Sequence, residues 1–345
     1  MLNRRFHLLC TLILAVAVLL AGCGGAAESG QSEEAAAGSS TAATEANQPL
    51  KVALLTPGPV NDNGWNATAY KGLKQMESEL GAEVQYSEKV AQSDMAEFIR
   101  GYGTDGYDVV IGHGFEFAEP MMSVAGEYPD TWFLVTSATV SQSPNVASIS
   151  INNREQGYLM GTVAALMSES GTVAAIGGQE IPPITNSVKG FEEGAKAAVP
   201  DINVLTTMTG SSDDVAKAKE TAISLIEKGA DVVMTNANQA GMGGIDAAKQ
   251  EGVLAIGSNE DLNPVAPDTV ITSVIQDYPT AMTAAVKSIM ERTMKAEPMS
   301  LGVKEGAVYM SPYHGFEEKM TPEIKDQVQA TIDALKSGEI LVQNE

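Results

Sequence analysis

Lys51-Val-Ala-Leu-Leu-Thr56, then the loop Pro59-Val-Asn-Asp-Asn-Gly-Trp-Asn66, then Ala69, Leu73, Met76 and Leu80 at helical spacing up to Gly81, form the stretch from which the architecture can be read. A short continuous apolar run reads as a buried strand. Apolar residues three and four apart read as the inner face of a helix, and the glycine ends it. The unit then recurs. Glu83–Tyr86, Asp108–Ile111, Thr131–Val135 and Val146–Ile151 read as further strands. A second series begins near residue 171 with Thr172–Ile176, Val204–Met208, Asp231–Thr235 and Val253–Ile256. Between the middle two, Val215, Ala218, Ala222, Leu225 and Ile226 share a helix face that stops at Gly229. Such alternation predicts parallel sheets covered by helices on both sides. The strands outnumber one ordinary open sheet and the pattern restarts, so the fold class is α/β with two doubly wound parallel-sheet lobes. A closed (β/α)8 barrel is the rival arrangement.

In open α/β sheets ligands sit beyond the carboxyl ends of the strands. The loops there are rich in amides, carboxylates and aromatics and poor in lysine, which suits a small neutral molecule. After the first strand, Trp65 offers a stacking face for a flat ring, or else packs into the core. Asp62, Asn63 and Asn66 offer donors and acceptors, or else form turns and helix caps, positions that Asn and Asp favour. After the third strand, Gly112-His-Gly114 brings Phe115 and Glu116 close. Phe115 could close on a ligand ring or pack on its own helix; Glu116 could accept from an amino or hydroxyl group. His113 is expected to hydrogen-bond locally. Asn152, in Asn152-Asn-Arg-Glu155, is a further candidate. In the second series the candidates are Asn238, ahead of Gly241-Met-Gly-Gly244, then Asn259 and Asp261 in Ser258-Asn-Glu-Asp261, and Gln276. A helix start such as Gly241–Gly244 favours anions, but no Lys or Arg accompanies it, which argues against a phosphorylated ligand.

The chain carries 44 acids against 21 Lys and Arg, a formal charge of −23. That argues strongly against binding nucleic acid polymers, which need basic stripes. Arg4 and Arg5 precede an apolar run of roughly 13 residues, Leu8 to Leu20, too short for a permanent membrane span. Leu20-Ala21-Gly22-Cys23 comes next. It is similar to a bacterial lipobox, which makes residues 1–22 a lipoprotein signal peptide and Cys23 the lipidated first residue of the mature chain. Cleavage there removes two arginines and no acid, so the charge becomes −25. It also removes Cys10, and with Cys23 lipidated no thiol remains for a disulfide or a Cys-based metal site. Residues 23–49 read as the lipidated Cys and a flexible tether: Gly24 to Gln48 has no Val, Ile, Leu, Phe, Tyr or Trp. As a coil, 25 residues span roughly 25–30 Å. Two acyl chains would hold the anchor firmly; one alone is marginal.

Several further stretches, in order, carry a resemblance. Asn61–Asn66 leads to Tyr70-Lys-Gly-Leu73; then come Gly106-Tyr-Asp-Val-Val-Ile111, Tyr128-Pro-Asp-Thr-Trp-Phe133, Asn145-Val-Ala-Ser148 and Arg154-Glu-Gln-Gly-Tyr-Leu-Met-Gly161. Gly190-Phe-Glu-Glu-Gly194, Gly229-Ala-Asp-Val-Val233 and Leu301-Gly-Val-Lys-Glu-Gly306 complete the set. Nearly the whole mature chain resembles the basic-membrane-protein (PnrA-like) substrate-binding lipoproteins of ABC importers, and Gly64-Trp65 is similar to the Gly-Trp subgroup, where other members have Ser-Phe. The resemblance implies a type I periplasmic-binding fold with hinge crossings. Residues 50–152 plus about 270–300 would form lobe 1, and 153–269 plus about 301–345 lobe 2. It implies capture of a small ligand, a purine base or nucleoside, between the lobes, and delivery to a permease and its ATPase. The protein would be a monomer on the extracytoplasmic face of the cell membrane, with no cofactor and no metal. Nucleoside-binding members have an Asp in the loop matching Ser258–Asp261 and a Lys after the strand matching Val270–Ile275, both associated with ribose. Here Gln276 stands at the Lys position, and the Asp aligns with either Asn259 or Asp261. A neutral pair grips vicinal hydroxyls less strongly than a charged one, which favours a free base or a non-nucleoside such as a sugar.

No Gly-X-Ser-X-Gly, P-loop or His-Glu-X-X-His stands in the mature chain, which argues against an enzyme. The many carboxylates leave a glycosidase-type pair open. A surface ligand sensor or adhesin is the other alternative.

Overall fold

In a computed structural model of the chain, residues 48–62 and 64–344 are described. The expectations for the signal peptide, Cys23, nearly all of the tether and Asn63 lie outside them. The first run of elements is β1 (Lys51–Leu55), α1 (Trp65–Leu80), β2 (Glu83–Ser87), α2 (Met95–Thr104), β3 (Val109–Gly112), α3 (Ala118–Val124), β4 (Trp132–Thr136) and β5 (Val146–Ile151). The second is α4 (Asn153–Met167), β6 (Thr172–Gly177), α5 (Pro182–Ala198), β7 (Asn203–Met208), α6 (Val215–Glu227), β8 (Val232–Asn236), α7 (Gly241–Glu251), β9 (Leu254–Asn259) and β10 (Val270–Gln276). Last come α8 (Tyr278–Met290), β11 (Pro298–Leu301), β12 (Val308–Met310) and α9 (Pro322–Ser337).

The described strands form two six-stranded sheets, ordered β11-β5-β4-β3-β1-β2 and β12-β10-β9-β8-β6-β7. The second order repeats the first, so the restart read near residue 171 is a true structural repeat. Every pairing is parallel except β10 with β12. This is the α/β architecture of two doubly wound sheets, not a closed barrel. The inner strands are apolar on both faces, as strands covered on both sides must be: Val52–Leu55, Val109–Ile111 and Val173–Ile176 are all buried.

The chain passes between the sheets three times, from β5 to α4, from β10 to α8 and from β11 to β12. One sequence expectation is corrected here. Residues 270–276 pair with β9 and β12, so they belong to the second lobe and not, as the 270–300 boundary had it, to the first. The crossing falls at Asp277.

Two glycine pairs set how closely α4 and α5 pack. A Cβ on Gly157 would lie 2.0 Å from the Ser187 carbonyl oxygen, and one on Gly161 1.9 Å from that of Phe191. Gly190 and Gly194 meet the Arg154 and Tyr158 carbonyls in the same way, at 2.1 and 2.0 Å. The motifs Gly157-X-X-X-Gly161 and Gly190-X-X-X-Gly194 are therefore the two sides of one close helix crossing.

In each sheet the strand order reverses between the first and third strands of the repeat, β1 and β3 or β6 and β8. Loops leaving those strands diverge and open a crevice. Trp65, Phe115, Gln179 and Asn238 come just after β1, β3, β6 and β8 respectively.

Candidate ligand-binding cleft

A cavity of about 560 Å³ lies among these loops. It is bordered by residues of both lobes, and that volume is within the range of small-molecule sites. Seven residues singled out from the sequence line it: Trp65, Asn66, Phe115, Glu116, Asn238, Asn259 and Gln276.

Trp65 opens α1. Its ring stacks on His113, with centroids 4.0 Å apart and planes 25° apart, and takes the edge of Tyr278 at 4.9 Å. His113 is fully buried. Its Nε2 lies 3.0 Å from the Trp65 carbonyl oxygen, which can only accept, so Nε2 carries the proton. Nδ1 then accepts from the Thr136 hydroxyl at 2.8 Å, and Thr136 Oγ1 accepts from the Gly114 N–H at 3.1 Å. Burial pushes the His113 pKa down to about 3, against the opposing pull of the Trp65 carbonyl and Asp62. The imidazole is therefore neutral at physiological pH, and it fixes the indole from behind. Tyr278 is held in turn by Ser137, a cavity residue, at 2.9 Å.

Asp62 does not border the cavity. Its carboxylate accepts from the backbone N–H groups of Gly64, Asn66 and Ala67, and from Asn66 Nδ2 at 2.7 Å. It caps the first turn of α1, where the unpaired N–H groups and the helix dipole favour an anion. Asn66 faces the cavity, tied to Asp62 and to the Gly58 N–H at 3.3 Å. Asn152 is likewise a cap and not a wall residue. It accepts from the N–H groups of Arg154 and Glu155 at the start of α4, and its amide donates to the Val342 carbonyl. Asp261 pairs with His314 at 2.8 Å, away from the cavity. Of the two residues that could match the family's Asp, Asn259 is the one on the wall.

Phe115 is exposed along the rim, and Glu116 is partly covered; burial raises the Glu116 pKa. No Lys or Arg stands among the described lining residues, and Glu116 and Asp213 are the acids. Val90, Met95, Ile181 and Ile184 supply apolar wall.

Residues that sequence reading did not single out complete the lining: Gln92, Ser137, Asn153, Gln179, Ser212, Asp213 and Asn236. One of these, Asn153, stands inside the stretch Asn152-Asn-Arg-Glu155 already singled out for Asn152. Asn236 is 6% exposed, and its side chain has no hydrogen-bond partner among the described residues. Its polar atoms are not among the buried unpaired side-chain atoms, so they are reached from the cavity that Asn236 borders.

The two lobes touch across the mouth. The Trp65 N–H donates to Asn238 Oδ1 at 2.9 Å, and Glu260 accepts from Thr68 Oγ1 at 2.6 Å and from Lys71 Nζ at 2.6 and 2.7 Å. Asn238 and Asn259 both sit at positive φ, +47° and +71°. Such left-handed positions are sparsely populated by residues other than glycine and cluster at functional sites.

Two lobes, three crossings, and an amide-lined cleft without lysine or arginine among its described lining residues define a solute-binding protein. The family model for the PnrA-like ABC transporter substrate-binding proteins matches residues 50–340, and the chain belongs to that family. Among its relatives, a purine-binding protein of Brucella abortus is 27% identical over 301 residues, covering 86% of this chain and 84% of its own. The transcriptional activator protein med of Bacillus subtilis is 29% identical over 303 residues, covering 88% and 89%. An uncharacterised lipoprotein of Pyrococcus horikoshii is 30% identical over 311 residues, covering 86% and 74%. Among solved structures, an ABC solute-binding protein of Aeropyrum pernix superposes with a TM-score of 0.77 at 23% identity, over 86% of this chain and 94% of that one, a likeness of fold.

Proposed function

We propose that this protein captures a purine base or nucleoside in the cleft between its lobes and delivers it to an ABC permease and its ATPase. The observation that carries the reading is the indole of Trp65, held rigid on a buried neutral histidine and bordering a cavity with no cationic residue among its described lining residues. A base stacked on an aromatic ring gains about 1–3 kcal/mol, and the surrounding amides suit a neutral heterocycle edge. The name of the Brucella relative supports the same ligand class. In this reading Trp65, Asn66, Phe115, Glu116, Asn238, Asn259 and Gln276 touch the ligand. The chain works as a lipid-anchored monomer on the extracytoplasmic face, held through Cys23, and performs no catalysis.

A second reading, a ligand sensor that feeds a receptor, is favoured by the transcriptional-activator name of the Bacillus relative. Uptake of labelled purine by cells with and without the gene separates the two. Loss of uptake supports import; unchanged uptake with lost transcriptional response supports sensing. For the ligand, a thermal-shift screen of bases, nucleosides and sugars is the test. Ligand at 100 times its Kd adds about 2.7 kcal/mol to stability. Stabilisation by sugars alone would remove the purine reading.

A further inference from the structure

Four side-chain amides form a continuous relay at the floor of the cleft. Asn153 Nδ2 donates to the Ile151 carbonyl at 3.0 Å, so Asn153 Oδ1 is free to accept, and it does so from Gln276 Nε2 at 2.8 Å. Gln276 Nε2 gives its other proton to Gln156 Oε1 at 2.8 Å. Gln156 Nε2 donates to the Val274 carbonyl at 3.0 Å and to Asn259 Oδ1 at 2.9 Å. Backbone carbonyls accept only. The relay is therefore anchored by Ile151 near one end and by Val274 in the middle, and no amide in it can be reversed without setting two acceptors or two donors against each other.

The consequence falls on two members that border the cavity, Gln276 and Asn259. Both protons of Gln276 are used, which leaves its Oε1. The Asn259 oxygen is used, which leaves its Nδ2. Neither atom has a partner among the described residues, and neither is among the buried unpaired side-chain atoms, so both are reached from the cavity. Gln156 is fully buried and does not border the cavity.

We propose that Gln156 is a positioning residue that fixes the hydrogen-bonding polarity of the cleft floor, so that Asn259 offers an N–H and Gln276 a C=O to a neutral ligand edge that carries both an acceptor and a donor. The C=O and N–H of a lactam have this character, as do the ring nitrogen and amino group of an aminopurine. A carboxylate would face the Gln276 carbonyl and an ammonium the Asn259 N–H, so ionic groups are disfavoured at this end of the cleft. The inference rests on the proposed ligand cleft and deepens it.

Side-chain amide hydrogen exchange, read by NMR on the 15N-labelled full chain without ligand, tests the relay itself. The Gln276 NH2 is expected to exchange about tenfold or more slowly relative to the Asn259 NH2, because both its protons are bonded to buried acceptors. Equal rates overturn the relay. Calorimetry with adenine, hypoxanthine and inosine tests the positioning role. Gln156→Leu is expected to weaken whichever probe the wild type binds by about tenfold, the scale of one lost hydrogen bond. The same change is expected to have less than about a twofold effect in an Asn259→Ala/Gln276→Ala background, because the residues it acts through are gone. An equal loss in both backgrounds makes Gln156 merely structural and overturns its role. Should none of the three probes bind the wild type, the purine reading fails, while the exchange experiment still decides the relay.

Discussion

Asn238 Oδ1 accepts the Trp65 backbone N–H across the cleft at 2.9 Å, and a Cβ on the neighbouring Gly64 would lie 2.3 Å from that same oxygen. The contact joins the residue that opens α1 in one lobe to a loop at the carboxyl end of the other lobe's sheet, beside the indole itself. Ligand affinity in a two-lobed protein depends on the free energy of closure as well as on contacts made. Gly64 is therefore required by the close approach of Asn238. Gly64→Ala is expected to push the Asn238 loop away and shift the chain toward a more open form. Small-angle scattering should show a larger radius of gyration for the ligand-free variant, together with weaker binding. Identical scattering and affinity would mean that the loop yields without cost.

Glu260 is the second tie, and its strength is bounded by exposure. The Lys71 side chain is 60% exposed and that of Glu260 22%. Such pairs are worth about 0.2–1 kcal/mol. Lys71→Ala should weaken ligand binding by no more than about fivefold, with the difference shrinking as salt is raised. A salt-independent loss would point to packing by the Lys71 stem instead.

His113 makes stability depend on pH with a defined sign. Its folded pKa is lowered to about 3 from the ordinary 6.5. The unfolded chain therefore binds a proton that the folded chain refuses between those values. The His113 contribution is fully present above pH 6.5 and is lost progressively as pH falls toward 3, at up to about 1.4 kcal/mol per pH unit. His113→Phe keeps a ring behind Trp65 and removes the titration. It is expected to cost about 1–3 kcal/mol at neutral pH, since the Trp65 carbonyl and Thr136 lose their partner, and to flatten the denaturation curve between pH 6 and 4. An unchanged pH slope would assign the acid sensitivity to the carboxylates.

The α4–α5 crossing gives a stability test remote from the cleft. Gly161→Ala sets a methyl 1.9 Å from the Phe191 carbonyl oxygen. Rigid backbone cannot give way cheaply, so a loss of at least about 1–3 kcal/mol is expected in chemical denaturation. Ala at Gly101, where nothing lies within 4 Å of the added Cβ, is the control and should be neutral or mildly stabilising.

The fold is legible in the sequence because its main signals are local. Val146–Ile151 matches the observed strand residue for residue, and the repeat near residue 171 is visible in the order of strands. Pro298–Leu301 and Val308–Met310 escape such a reading because four and three residues at a sheet edge carry no periodicity. The lobe assignment of Val270–Gln276 depends on which strands it pairs with, a tertiary fact that a buried apolar run does not encode. The site is legible in outline for the same reason. Loops at strand ends announce themselves by composition, yet the division of labour within them does not. Asp62 and Asn152 carry the same small polar side chains whether they cap a helix or touch a ligand. Gln156, on a buried helix face, gives no local sign that it joins Asn259 to Gln276.

Whether a purine is held against Trp65 is decided by isothermal titration of the wild type and Trp65→Ala with adenine, hypoxanthine and inosine. Expected are saturable one-to-one binding of at least one of these to the wild type and a loss of about 1–3 kcal/mol in the variant, with folding intact by circular dichroism. Wild-type affinity retained by Trp65→Ala, or no binding of any of the three while a sugar binds, would contradict it.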